Sequence, residues 1–195
     1  MVATVGLLLC GAALAAPQAH ALAAGDKVSG TVSIGAKQIP LPAGNWVVAG
    51  LGTQAFRMPA IGAFGTIQSA VLLLTRGDTV MSVLEINGNS IPVNDGWGRT
   101  KGCNPDQGQL LLIQRYRTGW ETSCQFVRPT RFSLDTPGPD AWEKARDFAR
   151  KAKLTGPQVW LTSGFRVSDR QDILDVRYHV NPAMLLVSPA LALNQ

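Results

Sequence analysis

The segment formed by residues 158–181 constrains the fold more than any other part of the sequence. Two runs within it, residues 158–168 and 173–181, alternate apolar and polar side chains with the period of two that a half-buried β-strand requires. The four residues between the runs, 169–172, are polar and have the length of a hairpin connection. We therefore predict an antiparallel hairpin near the end of the domain.

The turn also sets the register of this hairpin. It places Val167 opposite Leu174 and Arg166 opposite Asp175, and a coherent apolar set then falls on one side of the two strands. The other side of the two strands is predicted to be either a solvated face with a cross-strand ion pair or a polar site. It carries Trp160, Thr162, Arg166, Asp175, Arg177 and His179.

Earlier parts of the chain repeat the hairpin pattern. Residues 67–87 form two β-type runs around the turn Gly77-Asp78, and residues 110–127 form two more around Thr118-Gly119. Short alternating runs occupy residues 28–49, whereas the glycine-rich and alanine-rich residues 50–65 are predicted to form a loop.

One helix is marked at about residues 139–154. Pro139 and two acidic residues occupy its first turn, basic residues occupy its last turn, and Gly156 and Pro157 end it. Its apolar stripe is anchored in this prediction by Trp142 and Phe148. The fold class is therefore predicted to be α+β, mostly antiparallel β, with a hairpin-built sheet covered by one amphipathic helix.

The amino-terminal segment predicts export. Residues 1–25 contain no Lys, Arg, Asp or Glu, and the apolar run 5–16 has the length of a signal-peptide core. The sequence Ala19-His20-Ala21 then predicts cleavage after Ala21, with cleavage after Ala23 or retention as a membrane anchor as alternatives. We expect a cleaved signal peptide at residues 1–21 and one exported globular domain at 22–195, located in the periplasm or secreted.

Cysteine usage agrees with an oxidising compartment. The exported part would retain Cys103 and Cys124, which we predict to form a structural disulfide, with two free thiols as the alternative. The pair lacks the close spacing of a redox motif.

Few reactions fit the available side chains. The exported part contains one histidine, His179, so a multi-histidine metal site is excluded and we predict neither a metal nor a cofactor. No nucleophile elbow or phosphate-binding glycine loop is present. We predict no catalytic residues; the alternative is an envelope-directed hydrolase that uses His179 and Asp175 with Arg177.

The net charge of +5 favours an anionic partner. Export and the absence of basic stretches interleaved with aromatic residues argue against nucleic acid, and a membrane would be contacted only peripherally. Arg166 and Arg177 could hold a small anion, and the loop containing Trp97 and Arg99 could present an exposed aromatic ring beside a cation. Trp160 shares the polar side of the last hairpin with the two arginines and is a further candidate.

These observations favour a non-enzymatic exported protein. It would bind a small anionic ligand or an envelope partner, or have an envelope-associated structural role.

Overall fold

A computed structural model of the chain describes residues 21–58, 63–93, 97, 103, 108–116, 121–135 and 137–185. These residues form ten β-strands, one α-helix (α1, Asp140–Lys151) and a 3₁₀ turn at Pro182–Leu185. The strands are β1 (Lys27–Val28), β2 (Thr31–Ile34), β3 (Lys37–Pro40), β4 (Trp46–Met58), β5 (Ala63–Arg76), β6 (Thr79–Asn89), β7 (Leu111–Tyr116), β8 (Thr122–Arg131), β9 (Val159–Ser168) and β10 (Ile173–Val180).

Eight of the strands form one sheet in the order β1-β4-β5-β6-β10-β9-β8-β7, and β2 with β3 forms a separate hairpin. All of these neighbours are antiparallel. The prediction of a mostly antiparallel β fold with one helix is confirmed. The register of the last hairpin is also confirmed, because Val167 pairs with Leu174 and Arg166 with Asp175.

The two faces of the large sheet are covered by different elements. On the face that we call the hairpin face, Val32, Ile34 and Ile39 from β2 and β3 share a buried cluster with side chains of β4, β5, β6 and β10. On the opposite face, which we call the helix face, three alanines of α1 share a second cluster with Val71 and Trp160. Both faces of the central strands therefore bury side chains.

The helix packs against the sheet through small residues. Its buried side chains are Ala141, Ala145 and Ala149, and they lie against β4 where the sheet presents Gly50 and Gly52. A Cβ atom at Gly50 would lie 2.7 Å from the backbone nitrogen of Ala145, which no folded chain tolerates without movement. Close approach of the two backbones thus requires glycine on the strand.

Two details of the helix differ from the sequence prediction. Trp142 and Phe148, expected as anchors, are half-buried and pack at the margin of the alanine cluster. The helix packs mainly on β4 with a smaller contact to β5, so the prediction that it covers the sheet as a whole is not confirmed.

The loop predicted at residues 50–65 is wrong. Strands β4 and β5 extend through Met58 and from Ala63, so most of this segment is paired strand. Gly50 and Gly52 are required here because the α1 backbone lies directly on β4, and a glycine-rich composition does not distinguish such a strand from a loop.

Within the described residues, the outer edge of β4 is unpaired along most of its length. β1 pairs with it only at Val47 and Trp46, and no other described strand lies beyond β1. Lys144 of α1 reaches this edge, where its Nζ donates a 2.9 Å hydrogen bond to the carbonyl of Leu51 and a 2.8 Å bond to Asp140. Among the described residues, no helix has the length and hydropathy needed to cross a membrane.

Candidate functional site

A cluster of charged and polar side chains lies on the helix face beside α1. Strand pairing places it there, because Glu85 pairs with Arg177, Asn87 with Asp175, and Asp175 with Arg166 across β6, β10 and β9. Residues directly opposite each other in antiparallel strands project to the same face. We call Glu85, Arg166, Asp175, Arg177 and His179 the charged cluster.

Asp175 lies between the two arginines and accepts a hydrogen bond from Arg177. Arg177 Nη2 donates a 3.2 Å hydrogen bond to Asp175 Oδ2, and Arg177 Nε lies 2.9 Å from Oδ1 in a direction that gives attraction without an aligned hydrogen bond. Arg177 Nη1 also lies 3.6 Å from Glu85 Oε2. Burial acts to lower the pKa of Arg177, but the two carboxylates raise it above the ordinary value.

Arg166 is less well paired. Its Nη1 lies 3.6 Å from Asp175 Oδ2, which is too long for a hydrogen bond, and its Nε has no hydrogen-bond partner among the described residues. Only 9% of the residue is exposed. Burial lowers its pKa below the ordinary value, and Asp175 only partly opposes this effect.

His179 lies between a hydroxyl and a carboxylate. Its Nδ1 is 2.8 Å from Thr162 Oγ1, and its Nε2 is 3.7 Å from Glu85 Oε2 without forming a hydrogen bond. The ring contacts Phe132 edge to face at 4.8 Å, and only 4% of the residue is exposed. The imidazole is therefore buried, with one ring nitrogen lacking a hydrogen-bond partner in the described part of the chain.

Glu85 is held ionised by its neighbours. Burial would raise the pKa of this carboxyl, but His179, Arg177 and a 2.9 Å hydrogen bond from Asn87 Nδ2 to Oε1 lower it to about 2. Ser69 in turn donates to Asn87 Oδ1 at 2.6 Å, which fixes the orientation of the amide. The carboxylate is thus a preorganised hydrogen-bond acceptor.

Two adjacent cavities open onto the charged cluster and share Arg177. The first, of about 280 Å³, has Glu85, Arg177 and His179 among its polar lining. Its remaining lining is formed by Thr130, Phe132, Ser133, Pro137, Gly138, Pro139 and Trp142. The second, of about 210 Å³, is lined by Arg166, Arg177 and Asp175 together with Gln54, Ile67, Asn87 and Ile173. We call these the aromatic cavity and the arginine cavity.

Residues from segments outside these strands pack beside the arginine cavity. Cys103 is joined by a disulfide to Cys124, which pairs with Arg166 across β8 and β9. Trp97 and Val93 pack on Ile173, and Trp97 Nε1 donates a 3.2 Å hydrogen bond to the carbonyl of Gln171. The predicted disulfide is present, and it attaches Cys103 to the strand position beside Arg166.

A larger cavity of about 550 Å³ lies elsewhere, at the open edge of β4. The charged residues in its lining, Asp140 and Lys144, are half exposed and pair with each other. Five buried polar atoms without hydrogen-bond partners among the described residues belong to residues that line the two smaller cavities, namely Thr130, Arg166, Asp175, Arg177 and His179. The chemistry therefore points to those cavities rather than to this one.

The structure separates the predicted binding residues into groups. Arg166 and Arg177 line one cavity, whereas Trp160 is fully buried, stacks on Phe132 at 5.1 Å and donates to its carbonyl. Trp97 was expected to be exposed, but it is buried at 5% exposure because it packs over the end of β10. Arg99 lies outside the described residues.

The residues of the alternative hydrolase, His179 and Asp175, are not paired with each other. His179 faces Glu85 and Thr162, whereas Asp175 faces the two arginines. Glu85 was missed because the pairing of β6 with β10 is not encoded locally. The available signal was a carboxylate and an amide at alternate positions in the apolar strand Val83-Leu84-Glu85-Ile86-Asn87.

The polar side of the last hairpin is mostly buried, because α1, the segment before it and the disulfide-linked residues pack on this face. Of the two readings offered by the sequence, a solvated face is therefore wrong. Within the described ranges, no group of three or more His, Cys, Asp and Glu side chains could hold a metal ion. No protein-family model, curated protein or solved structure matches the chain.

Proposed function

We propose that this chain is an exported binding protein that holds a small anionic ligand over the charged cluster. The observation that carries the proposal is the buried guanidinium of Arg166, which lines a cavity without a well-formed hydrogen bond. A guanidinium has five N–H donors, and burying such a group without acceptors is costly.

An anionic ligand group would supply the missing acceptors. Arg166 and Arg177 line the same cavity, so one carboxylate or phosphate could accept hydrogen bonds from both guanidinium groups. Asp175 already pairs with Arg177, and it would hold that side chain in place as the ligand binds. Sites of this kind have a few placed polar groups in a largely formed concavity.

Export is part of this proposal. It is supported by the uncharged apolar amino-terminal segment, by the sequence Ala19-His20-Ala21 and by a disulfide compatible with an oxidising compartment. Mass measurement of the protein recovered from the periplasm of a Gram-negative host is expected to show cleavage after Ala21. An intact amino terminus would contradict cleavage.

A binding function fits the geometry better than hydrolysis. A histidine that activates a nucleophile must be hydrogen-bonded to it, and the hydroxyl bonded to His179 belongs to Thr162, which is 1% exposed. Asp175, the partner of His179 in the hydrolase alternative, lies beside the two arginines instead.

The test is a titration of the cleaved protein with acetate and with inorganic phosphate. We expect saturable shifts of the Arg177 Nε–H signal in NMR spectra, because Arg177 lines the same cavity, and their loss in Arg166→Met. Arg150→Met is the matched control, because Arg150 is 62% exposed and pairs with Asp147 on the helix. Shifts that do not saturate, or that are the same in Arg166→Met, would contradict the proposal.

A further inference from the structure

The ligand class follows from the aromatic cavity, which adjoins the arginine cavity through Arg177. Two of its buried polar atoms, His179 Nε2 and Thr130 Oγ1, have no hydrogen-bond partner among the described residues. Buried polar atoms in folded proteins are nearly always hydrogen-bonded. A ligand in this cavity should therefore carry groups that bond to both.

The spacing of His179 and Glu85 favours a hydroxyl group. Their Nε2 and Oε2 atoms are 3.7 Å apart, so one oxygen atom can lie at about 2.8 Å from both. When Thr162 donates to Nδ1, the neutral ring carries its proton on Nε2 and donates to that oxygen. The Glu85 carboxylate then accepts the hydroxyl proton, and a hydroxyl is a group that can accept and donate at once.

The walls of the cavity favour a ring with polarised C–H groups. Phe132 and Trp142 contribute aromatic surface, and Pro137 and Pro139 contribute aliphatic surface, above the polar floor. The face of an aromatic ring is electron-rich, so it attracts the partly positive C–H groups of a hydroxylated ring. Several hydroxyls beside such C–H groups are the defining chemistry of a sugar.

We propose that the ligand is an acidic sugar whose ring occupies the aromatic cavity and whose carboxylate or phosphate lies between Arg166 and Arg177. This inference rests on the proposed anion-binding function and adds the chemistry of the rest of the ligand. Volumes of about 280 and 210 Å³ fit one sugar ring and one anionic group, because the pockets that hold drug-sized ligands measure roughly 300 to 1,000 Å³.

The experiment compares acidic sugars with their separate parts. Glucuronate, galacturonate, N-acetylmuramate, N-acetylneuraminate and glucose 6-phosphate are titrated into the cleaved protein, and Kd is measured from the Trp142 indole NMR signal and by calorimetry. Glucose, acetate, inorganic phosphate and benzoate are the comparison ligands. At least one acidic sugar should bind tenfold or more tightly than every comparison ligand.

The same set of ligands shows whether the anionic group is a carboxylate or a phosphate. Tighter binding of the carboxylates than of glucose 6-phosphate identifies a sugar acid, and the reverse order identifies a sugar phosphate. If no acidic sugar exceeds the comparison ligands tenfold, or if benzoate binds as tightly, the sugar inference is wrong while anion binding stands. If acetate, phosphate, benzoate and the acidic sugars all fail to bind at Arg166, both proposals are wrong.

Variants locate the two parts of the ligand. Trp142→Leu should weaken the acidic sugar tenfold or more and leave acetate binding unchanged, whereas Arg166→Met should weaken both. Phe148→Leu is the control for Trp142→Leu, because Phe148 is half-buried on the same helix but does not line the cavity. Equal loss of acetate and sugar binding in Trp142→Leu would overturn the placement of the ring.

Discussion

Over β4 and β5 the helix face is packed by glycine and alanine, whereas over β6, β10 and β9 the same face buries two carboxylates, two guanidinium groups and an imidazole. At the first region the α1 backbone lies directly on the strand, so there is no room for a side chain at Gly50 or Gly52. At the second region α1 contributes the Trp142 side chain, and the charged side chains surround two cavities. The proposed ligand site thus lies where close packing of the helix on the sheet ends.

The largest predicted effect tests the packing at the first region. Gly50→Val places a side chain against the backbone of Ala141 and Ala145, so either α1 or β4 must move. We expect a loss of more than about 4 kcal/mol in the free energy of unfolding, which is measured by urea denaturation. Thr53→Val, at an exposed position on the same strand, should change it by less than about 0.5 kcal/mol.

The second prediction removes a charge from the second region. Glu85→Ala leaves Arg177 with one carboxylate partner and removes the acceptor of Asn87, so we expect a loss of about 3 kcal/mol. Glu143→Ala is the control, because its ion pair with Arg146 lies on the partly exposed helix surface and should contribute less than about 1 kcal/mol. Equal effects of the two substitutions would show that the charged cluster is solvated.

The next prediction concerns the disulfide, which attaches Cys103 to β8 at the second region. Replacing both cysteines by serine, in a Cys103→Ser, Cys124→Ser variant, opens a link with a sequence separation of 21 and should cost about 3 kcal/mol. Hydrogen exchange should become faster in β8 before it does so in β4. Simultaneous loss of protection in both strands would mean that the two regions unfold as one unit.

Acid should also affect the two regions differently. The folded-state pKa of Glu85 is about 2 against an ordinary value of 4.5, so its stabilising contribution is complete above pH 4.5 and is lost as the pH falls toward 2. We expect the free energy of unfolding to fall by about 2 kcal/mol more in the native chain than in Glu85→Gln over that range. Parallel pH profiles for the two proteins would contradict this assignment.

The smallest effect on stability is expected for Arg166→Met. The substitution replaces a poorly paired buried cation with an apolar chain of similar length, while Asp175 keeps its bonds to Arg177. The free energy of unfolding should change by less than about 1 kcal/mol, although anion binding is lost. A loss of 3 kcal/mol or more would instead identify Arg166 as a structural residue.

Local pattern was sufficient to predict the hairpins. The pairing of Arg166 with Asp175 follows from a four-residue turn and a period of two, both of which are visible within one segment of sequence. The disulfide was also predictable, because Cys103 and Cys124 are the two cysteines outside the amino-terminal segment.

Contacts between distant segments could not be predicted in the same way. Glu85 meets Arg177 only because β6 pairs with β10, and Trp97 is buried only because its segment folds onto the end of the last hairpin. Likewise, Gly50 and Gly52 lie in a strand although glycine is disfavoured in strands. Glycine is needed there because a helix about 90 residues later in the chain packs closely on β4. Burial of a sheet face depends on what covers it, which the alternation of side chains does not specify.

Lys144 has a further consequence for the behaviour of the chain in a crowded compartment. An unpaired strand edge is a template on which a strand from another molecule can add, and repeated addition leads to polymers. The ammonium group beside the Leu51 carbonyl would have to be displaced and stripped of its bond to Asp140 before a new strand could be recruited. The side chain that joins helix to sheet is therefore also a barrier to self-association along β4.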